Sequence, residues 1–136
     1  MNDVLKLSRI ALGVIFIWYG VLKFFPHLSP AEVLATKTID ILFFHLIPED
    51  ISIKLLALWE VIVGIGLVFG FYLRWALAFF FIHMVFTFSP LVLLPEISFT
   101  QAPYAFTLVG QYILKNIVFI LMGILIYNHH FKTQTN

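Results

Sequence analysis

Four long apolar runs dominate the pattern of hydrophobic and polar positions along the chain. They cover residues 5–25, 53–73, 75–94 and 104–127. Each run reaches the roughly 20 residues that a helix needs to cross about 30 Å of hydrocarbon. Apolar and polar residues do not alternate with a period of two, which disfavours a membrane β-barrel. The pattern therefore predicts four transmembrane helices.

The long link between the first two runs has a pattern of its own. Its Ser-Pro-Ala-Glu sequence at residues 29–32 is typical of a helix start, with serine as the N-cap and glutamate closing a capping box. Glu32, Thr36 and Asp40 then recur every four residues on one face. We predict an amphipathic helix over residues 30–47 that lies at the membrane surface. A lid packed into the bundle is the alternative.

Composition narrows the class of protein. The 136 residues are 62% hydrophobic and 11% charged, whereas soluble domains are about 45–50% apolar and about 25% charged. The net charge of +1, without a cluster of Lys or Arg, disfavours a nucleic-acid partner. The absence of Cys excludes disulfides and thiol chemistry. We expect one domain, an all-α membrane protein that forms a four-transmembrane-helix bundle with an extra amphipathic helix between helices 1 and 2.

Lys and Arg positions predict the orientation in the membrane. Cations near the two termini and the tight turn between the second and third helices slightly outnumber those on the opposite side. The first set is Lys6, Arg9, Arg74 and Lys132, and the second set is Lys23, Lys37 and Lys54. We therefore expect both termini to face the cytoplasm.

Polar residues inside the apolar runs are the candidate functional residues, since intramembrane charges are costly and usually face the bundle interior. With a rise of about 1.5 Å per residue, the depths of Glu60, His83, Gln111 and Lys115 agree within about 8 Å. We predict that Glu60 pairs with Lys115 or Lys23, although Lys23 at its helix end could snorkel outward instead. The full predicted polar set is Glu60, Lys115, His83, Gln111, Lys23, Asn116 and Trp59.

These side chains predict a ligand pocket in the outer half of the bundle, roofed by residues 30–47. The alternative is a dry core whose polar groups satisfy one another. Glycines indicate where helices approach closely, and the candidates are Gly13, Gly20, Gly66 and Gly70. Outside the tail, no two His have i,i+4 spacing on one helix, so we predict no metal site, and no sequence motif identifies a catalytic residue.

The order of several short motifs resembles the DoxX-like membrane proteins. Residues 18–24 (Trp-Tyr-Gly-Val-Leu-Lys-Phe), with Arg9 upstream, resemble the first helix of that family, and residues 59–64 (Trp-Glu-Val-Ile-Val-Gly) resemble its second helix. Residues 86–90 and 110–116 are similar to a branch that includes reactive-chlorine-resistance inner-membrane proteins. The chain departs from that branch at two positions. Gln111 stands where the branch tends to have a basic residue, and Asn116 where it tends to have an acid.

The resemblance implies a four-helix bundle in a bacterial-type inner (plasma) membrane, with a role in redox or oxidative-stress physiology. Relatives are described as small subunits of thiosulfate:quinone oxidoreductase, as partners of superoxide dismutase and sulfurtransferase, or as stress-resistance proteins. We therefore expect an accessory subunit of a membrane oxidoreductase rather than an enzyme acting alone. No cofactor is evident in the sequence, and a quinone is the candidate ligand.

The sequence leaves alternatives open for the partners and for the function. Besides the lipid bilayer, the expected partner is a membrane or periplasmic redox protein, and a homo-oligomer is an open alternative. The competing functions are a carrier or binding protein for a small solute or lipid, and an assembly or scaffold factor without a ligand.

Overall fold

Four helices in the chain are long and apolar enough to cross a membrane. The computed structural model describes residues 2–132, and the candidate spans within them are Asp3–Lys23, Glu49–Phe69, Leu73–Leu93 and Leu108–Lys132. The elements in chain order are α1 (Asp3–Lys23), α2 (Glu32–Leu42), α3 (Glu49–Phe69), α4 (Leu73–Phe88), α5 (Pro90–Leu93), α6 (Pro95–Ser98), β1 (Phe99–Gln101), β2 (Ala105–Phe106), α7 (Leu108–Tyr127) and a π-helical turn (Asn128–Lys132). The predicted all-α four-helix membrane bundle, with an extra helix between its first two spans, is confirmed.

The second span lies about four residues earlier than the predicted 53–73. Helix α3 starts after Pro48. Its first turn contains two acids, Glu49 and Asp50, whose negative charges interact favourably with the positive end of the helix dipole. It ends at Gly70, whose φ of 75° is left-handed and suits glycine. The apolar run does not show this start, because the charged residues Glu49 and Asp50 lie before it in the sequence.

The third and fourth spans also differ from their predicted bounds. Helix α4 ends at Phe88, and α5 begins at Pro90, which has no backbone N–H to continue the helix. The last span starts at Leu108 rather than near residue 104, because β1 and β2 form a short antiparallel hairpin before it. Thr107 caps α7 by accepting a hydrogen bond from the Gly110 N–H at 3.1 Å.

Helix α2 is shorter than the predicted 30–47 and starts differently. Its N-cap is Ala31, and the predicted capping box does not form, because a Glu32 carboxylate oxygen accepts from the His27 N–H at 2.8 Å instead. The chain leaves the helix through Phe44 and His45, which have φ values of 53° and 61°.

The predicted polar face of α2 is partly covered, since Thr36 is buried while Glu32 and Asp40 are partly exposed. Val33 and Lys37 are exposed. Helix α2 packs against α3 and α5, and a hydroxyl inside this packing is tolerated because Thr36 donates to the Glu32 carbonyl at 3.0 Å. The segment therefore resembles the lid alternative more than a helix lying free at the surface.

The most extensive packing joins α1 to α3. A Cβ placed on Gly13 would lie 2.7 Å from the Gly64 carbonyl oxygen, and one on Gly20 would lie 3.0 Å from the Ala57 carbonyl oxygen. The absence of side chains at these positions lets the two backbones touch, as small residues do in membrane helix pairs. This contact sets the rotation of α3 about its own axis.

The other two predicted packing glycines have different roles. Gly66 faces Ala76 on α4, where an added Cβ would lie 2.8 Å from the alanine Cβ. Gly70 makes no such helix contact, since it provides the left-handed end of α3 and room for the Arg9 guanidinium. Arg9 Nη1 donates to the Leu67 carbonyl at 2.6 Å, so a cation caps the negative end of α3.

We expect Gly13→Leu to destabilise the detergent-solubilised protein by about 1–3 kcal/mol, the usual cost of overpacking. The reason is that the new side chain would have to enter the α3 backbone. The measurement is the thermal unfolding midpoint. Ala11→Leu is the matched control, because Ala11 is exposed on the opposite side of α1. Equal midpoints for the two variants would contradict the glycine contact.

Candidate functional site

The position of the site follows from the C-terminal end of α1, which stops short of the start of α3. Helix α1 stops at Lys23, and Gly20 lies level with Ala57 and Glu60 of the antiparallel α3. The first turns of α3, from Glu49, therefore extend beyond α1 together with the facing part of α4. Helix α2 covers this exposed part of the bundle. The space that a longer first helix would fill is thus closed by a separate, shorter helix.

Lys23 and Glu60 form a buried ion pair at the end of α1. Lys23 Nζ lies 2.7 Å from Glu60 Oε2, and the two side chains are only 6% and 8% exposed. Lys23 Nζ also donates to the Tyr19 carbonyl at 3.3 Å. Lys23 therefore does not snorkel to the surface, and the prediction that Glu60 pairs with Lys115 or Lys23 is resolved in favour of Lys23.

His83 brings a third helix to this pair. Its Nε2 lies 3.3 Å from Glu60 Oε1, and its ring stands edge-on to Phe16 at a centroid distance of 5.2 Å. Glu60 therefore joins a lysine of α1 to an imidazole of α4.

Lys115 and Gln111 do not join this cluster, contrary to our expectation. Both are exposed on the outer face of α7, and Lys115 Nζ lies 5.2 Å from the centre of the Tyr112 ring. Depth along the helix does not show which face packs inward, and the face of α7 that carries Gln111 and Lys115, one turn apart, is turned away from the bundle. Asn116 does face α4, where its amide donates to Thr87 Oγ1 at 3.4 Å.

A cavity of about 260 Å³ lies between α2 and the outer parts of α3 and α4. Its wall is almost entirely apolar, and the rim includes Leu55, Phe86 and Phe43, each about half exposed on the outer surface of the bundle. The lining residues are Ala35, Thr38, Ile39, Leu42, Phe43, Ile47, Ser52, Leu55, Leu56, Trp59, His83, Phe86 and Thr87. The roof predicted from residues 30–47 is therefore present, over a more apolar pocket than we expected.

Few polar groups reach this cavity. Thr38 and Ser52 donate to their own helices, to the Leu34 and Glu49 carbonyls. Trp59 differs, because its indole Nε1 is buried and has no hydrogen-bond partner among the described residues. The wall thus includes the side chains of His83 and Trp59, and the Trp59 N–H is a buried donor that lacks a protein acceptor. Glu60, Lys115 and Gln111 are not among the lining residues.

The sequence contains no signal for several of these lining residues. Thr38, Ser52 and Thr87 are hydroxyl residues on three different helices, and the packing of α2, α3 and α4 around the cavity brings them together. Within residues 2–132, no three His, Asp or Glu side chains lie close enough together to hold a metal ion. The side chains at the cavity and the ion pair supply hydrogen-bonding groups and groups that exchange protons beside an apolar space.

The DoxX family model matches residues 4–93, about two thirds of the chain. The matched part contains α1 to α4 and therefore Lys23, Glu60, His83 and Trp59. No curated protein and no solved structure matches the chain.

We expect Glu60→Gln to destabilise the solubilised protein by about 3–5 kcal/mol, because it leaves the Lys23 charge buried without a counter-ion. Adding Lys23→Met should recover part of this loss, since the double variant removes both charges. The measurement is a double-mutant cycle on the free energy of unfolding.

Lys115→Met is the matched control for that cycle. It removes an exposed lysine from another helix, so it should change stability little and should not rescue Glu60→Gln. Strictly additive effects of Glu60→Gln and Lys23→Met would contradict the pairing.

Proposed function

The chain belongs to the DoxX family, and we propose that it is an accessory membrane subunit that binds a quinone in the cavity beneath α2. A quinone has a flat apolar ring with two carbonyl oxygens that accept hydrogen bonds. The observation that supports this ligand class is that Trp59 and His83 both line a mostly apolar wall whose hydroxyl groups donate to their own helices. The Trp59 N–H is a buried donor without a protein acceptor, and such a group costs about 1–3 kcal/mol when unpaired.

The size of the cavity suits the ring rather than the whole of a long-chain quinone. Its volume of about 260 Å³ is just below the usual 300–1,000 Å³ of small-molecule pockets. Its rim at Leu55 and Phe86 is part of the outer surface that faces lipid. The ring would enter sideways from the bilayer, and an isoprenoid tail would stay among the lipid chains.

The residues beside the cavity supply a route for protons. A bound quinone takes up two electrons and two protons when it is reduced, and the electrons would come from a partner redox protein. His83 borders the cavity and contacts Glu60, so it can exchange a proton with a carbonyl oxygen on one side and with the carboxylate on the other. Lys23 balances the negative charge of Glu60 and holds it in place.

The wider setting is also part of this proposal. We propose a bacterial-type inner membrane with both termini in the cytoplasm, which places the cavity in the half of the bundle toward the periplasm. A membrane or periplasmic redox protein would then be the electron-supplying partner. The resemblance of residues 86–90 and 110–116 to the chlorine-resistance branch agrees with an oxidative-stress role.

We expect Trp59→Phe to weaken the binding of decylubiquinone about fivefold, because it keeps the aromatic ring but removes the N–H and so about 1 kcal/mol of hydrogen bonding. Isothermal titration calorimetry on the detergent-solubilised protein measures the dissociation constant. Trp75→Phe is the matched control, since Trp75 also packs on Phe79 but does not line the cavity.

A second variant tests the location of the ligand. Ala35→Trp places a large ring in the cavity and should abolish binding while the unfolding midpoint stays similar. Unchanged decylubiquinone binding in both Trp59→Phe and Ala35→Trp would rule out the cavity as the quinone site.

Reporter fusions test the proposed orientation. A fusion at residue 30 should report the periplasm and one at the C-terminus the cytoplasm, because one span separates the N-terminus from residue 30 and four spans separate it from the C-terminus. Reporters on the same side of the membrane would contradict the topology.

A further inference from the structure

A second groove lies at the opposite end of the bundle, between α4 and α7. Its volume is about 370 Å³, and it is lined by Arg74, Leu77, Ala78, Phe81, Ile124 and Tyr127. The helices touch beside it at Gly123, where an added Cβ would lie 2.7 Å from Phe80 Cε1. The groove is separate from the cavity under α2 and shares no residue with it.

The groove has a charged mouth and an apolar floor. Arg74 is the second residue of α4 and Tyr127 is the last residue of α7, so both lie where the antiparallel helices reach the membrane surface. Ala78 and Phe81 lie about 6 Å and about 10 Å further along α4, by the rise per residue. The small side chain of Ala78 leaves space between the larger neighbours Leu77, Phe81 and Ile124.

Arg74 is available for a ligand. It is exposed and forms no ion pair with any residue in the described part of the chain. The surrounding end of the protein is basic as well, with Lys6, Arg9 and Lys132 as further cations. Of the seven acids in the sequence, only Asp3 belongs to this end. The charge at the mouth therefore favours an anion.

We propose that this groove binds an anionic phospholipid, with its phosphate on Arg74 and part of one acyl chain along Ala78 and Phe81. The charged mouth of the groove suits the lipid phosphate, and the apolar floor suits an acyl chain. Basic pockets between helices at a membrane surface are suited to anionic headgroups. A zwitterionic lipid would also fit the apolar floor, but its headgroup would interact less favourably with Arg74 at the mouth of the groove. This binding does not depend on the quinone proposal.

Native mass spectrometry of the solubilised protein tests the site, with dioleoyl phosphatidylglycerol and dioleoyl phosphatidylcholine as the lipids. We expect Arg74→Gln to weaken phosphatidylglycerol binding about fivefold, since one cation near the surface contributes about 1 kcal/mol. Lys6→Gln removes the same charge from the same end but outside the groove, so binding should change less than about twofold. Ala78→Leu should weaken phosphatidylglycerol binding with the charge intact, because it fills the groove.

Three results would overturn the proposal. Equal losses in Arg74→Gln and Lys6→Gln would mean that only diffuse charge attracts the lipid. Equally tight binding of phosphatidylcholine would remove the anionic preference. Competition by glycerol 1-phosphate as strong as that of the intact lipid would mean that the apolar groove takes no part.

Discussion

Lipid offers no hydrogen bonds, so every polar group inside the hydrocarbon layer needs a partner within the protein. The Lys23–Glu60 ion pair gives two buried charges their partners in this chain, and much of the packing of the bundle depends on it. The pair joins the last turn of α1 to the middle of α3, at the level where Gly20 lets the two backbones touch. Glu60 then holds His83 on α4, so three helices converge on one carboxylate. The arrangement favours one rotation of each helix, since any other leaves a charge unpaired.

The same pair marks the limit of α1 and so creates the cavity. Beyond Lys23 the chain turns away, and α2 packs against the part of α3 that extends past α1 and against α5. A short, separate helix fills this space less completely than a continuous one would. The result is an apolar space next to a polar cluster, with His83 belonging to both. This adjacency is what makes exchange of protons between a ligand and the ion pair a testable function.

Charge divides the two ends of the molecule. Acids lie around α2, the start of α3 and α6, while Lys6, Arg9, Arg74 and Lys132 lie at the opposite end with one acid, Asp3. At the end that carries α2, two of the acids have partners of their own, since Glu32 accepts from the His27 backbone N–H and Asp40 contacts the His45 ring. At the other end Arg9 caps α3, whereas Arg74 remains available at the mouth of a groove. The two proposed ligands therefore differ in charge as well as in place.

The number and type of the spans could be predicted from the sequence, because length and hydropathy are local properties. The requirement that Glu60 find a cation could also be predicted, since it follows from the cost of a buried charge. The sequence could not decide between Lys23 and Lys115. Depth along a helix does not show which of its faces packs inward, and the packing of α7 on α4 is what leaves Lys115 exposed. The position of α2, and with it the cavity, was likewise decided by tertiary structure, because Thr36 and Thr38 are polar in sequence yet buried once the helix folds back on the bundle.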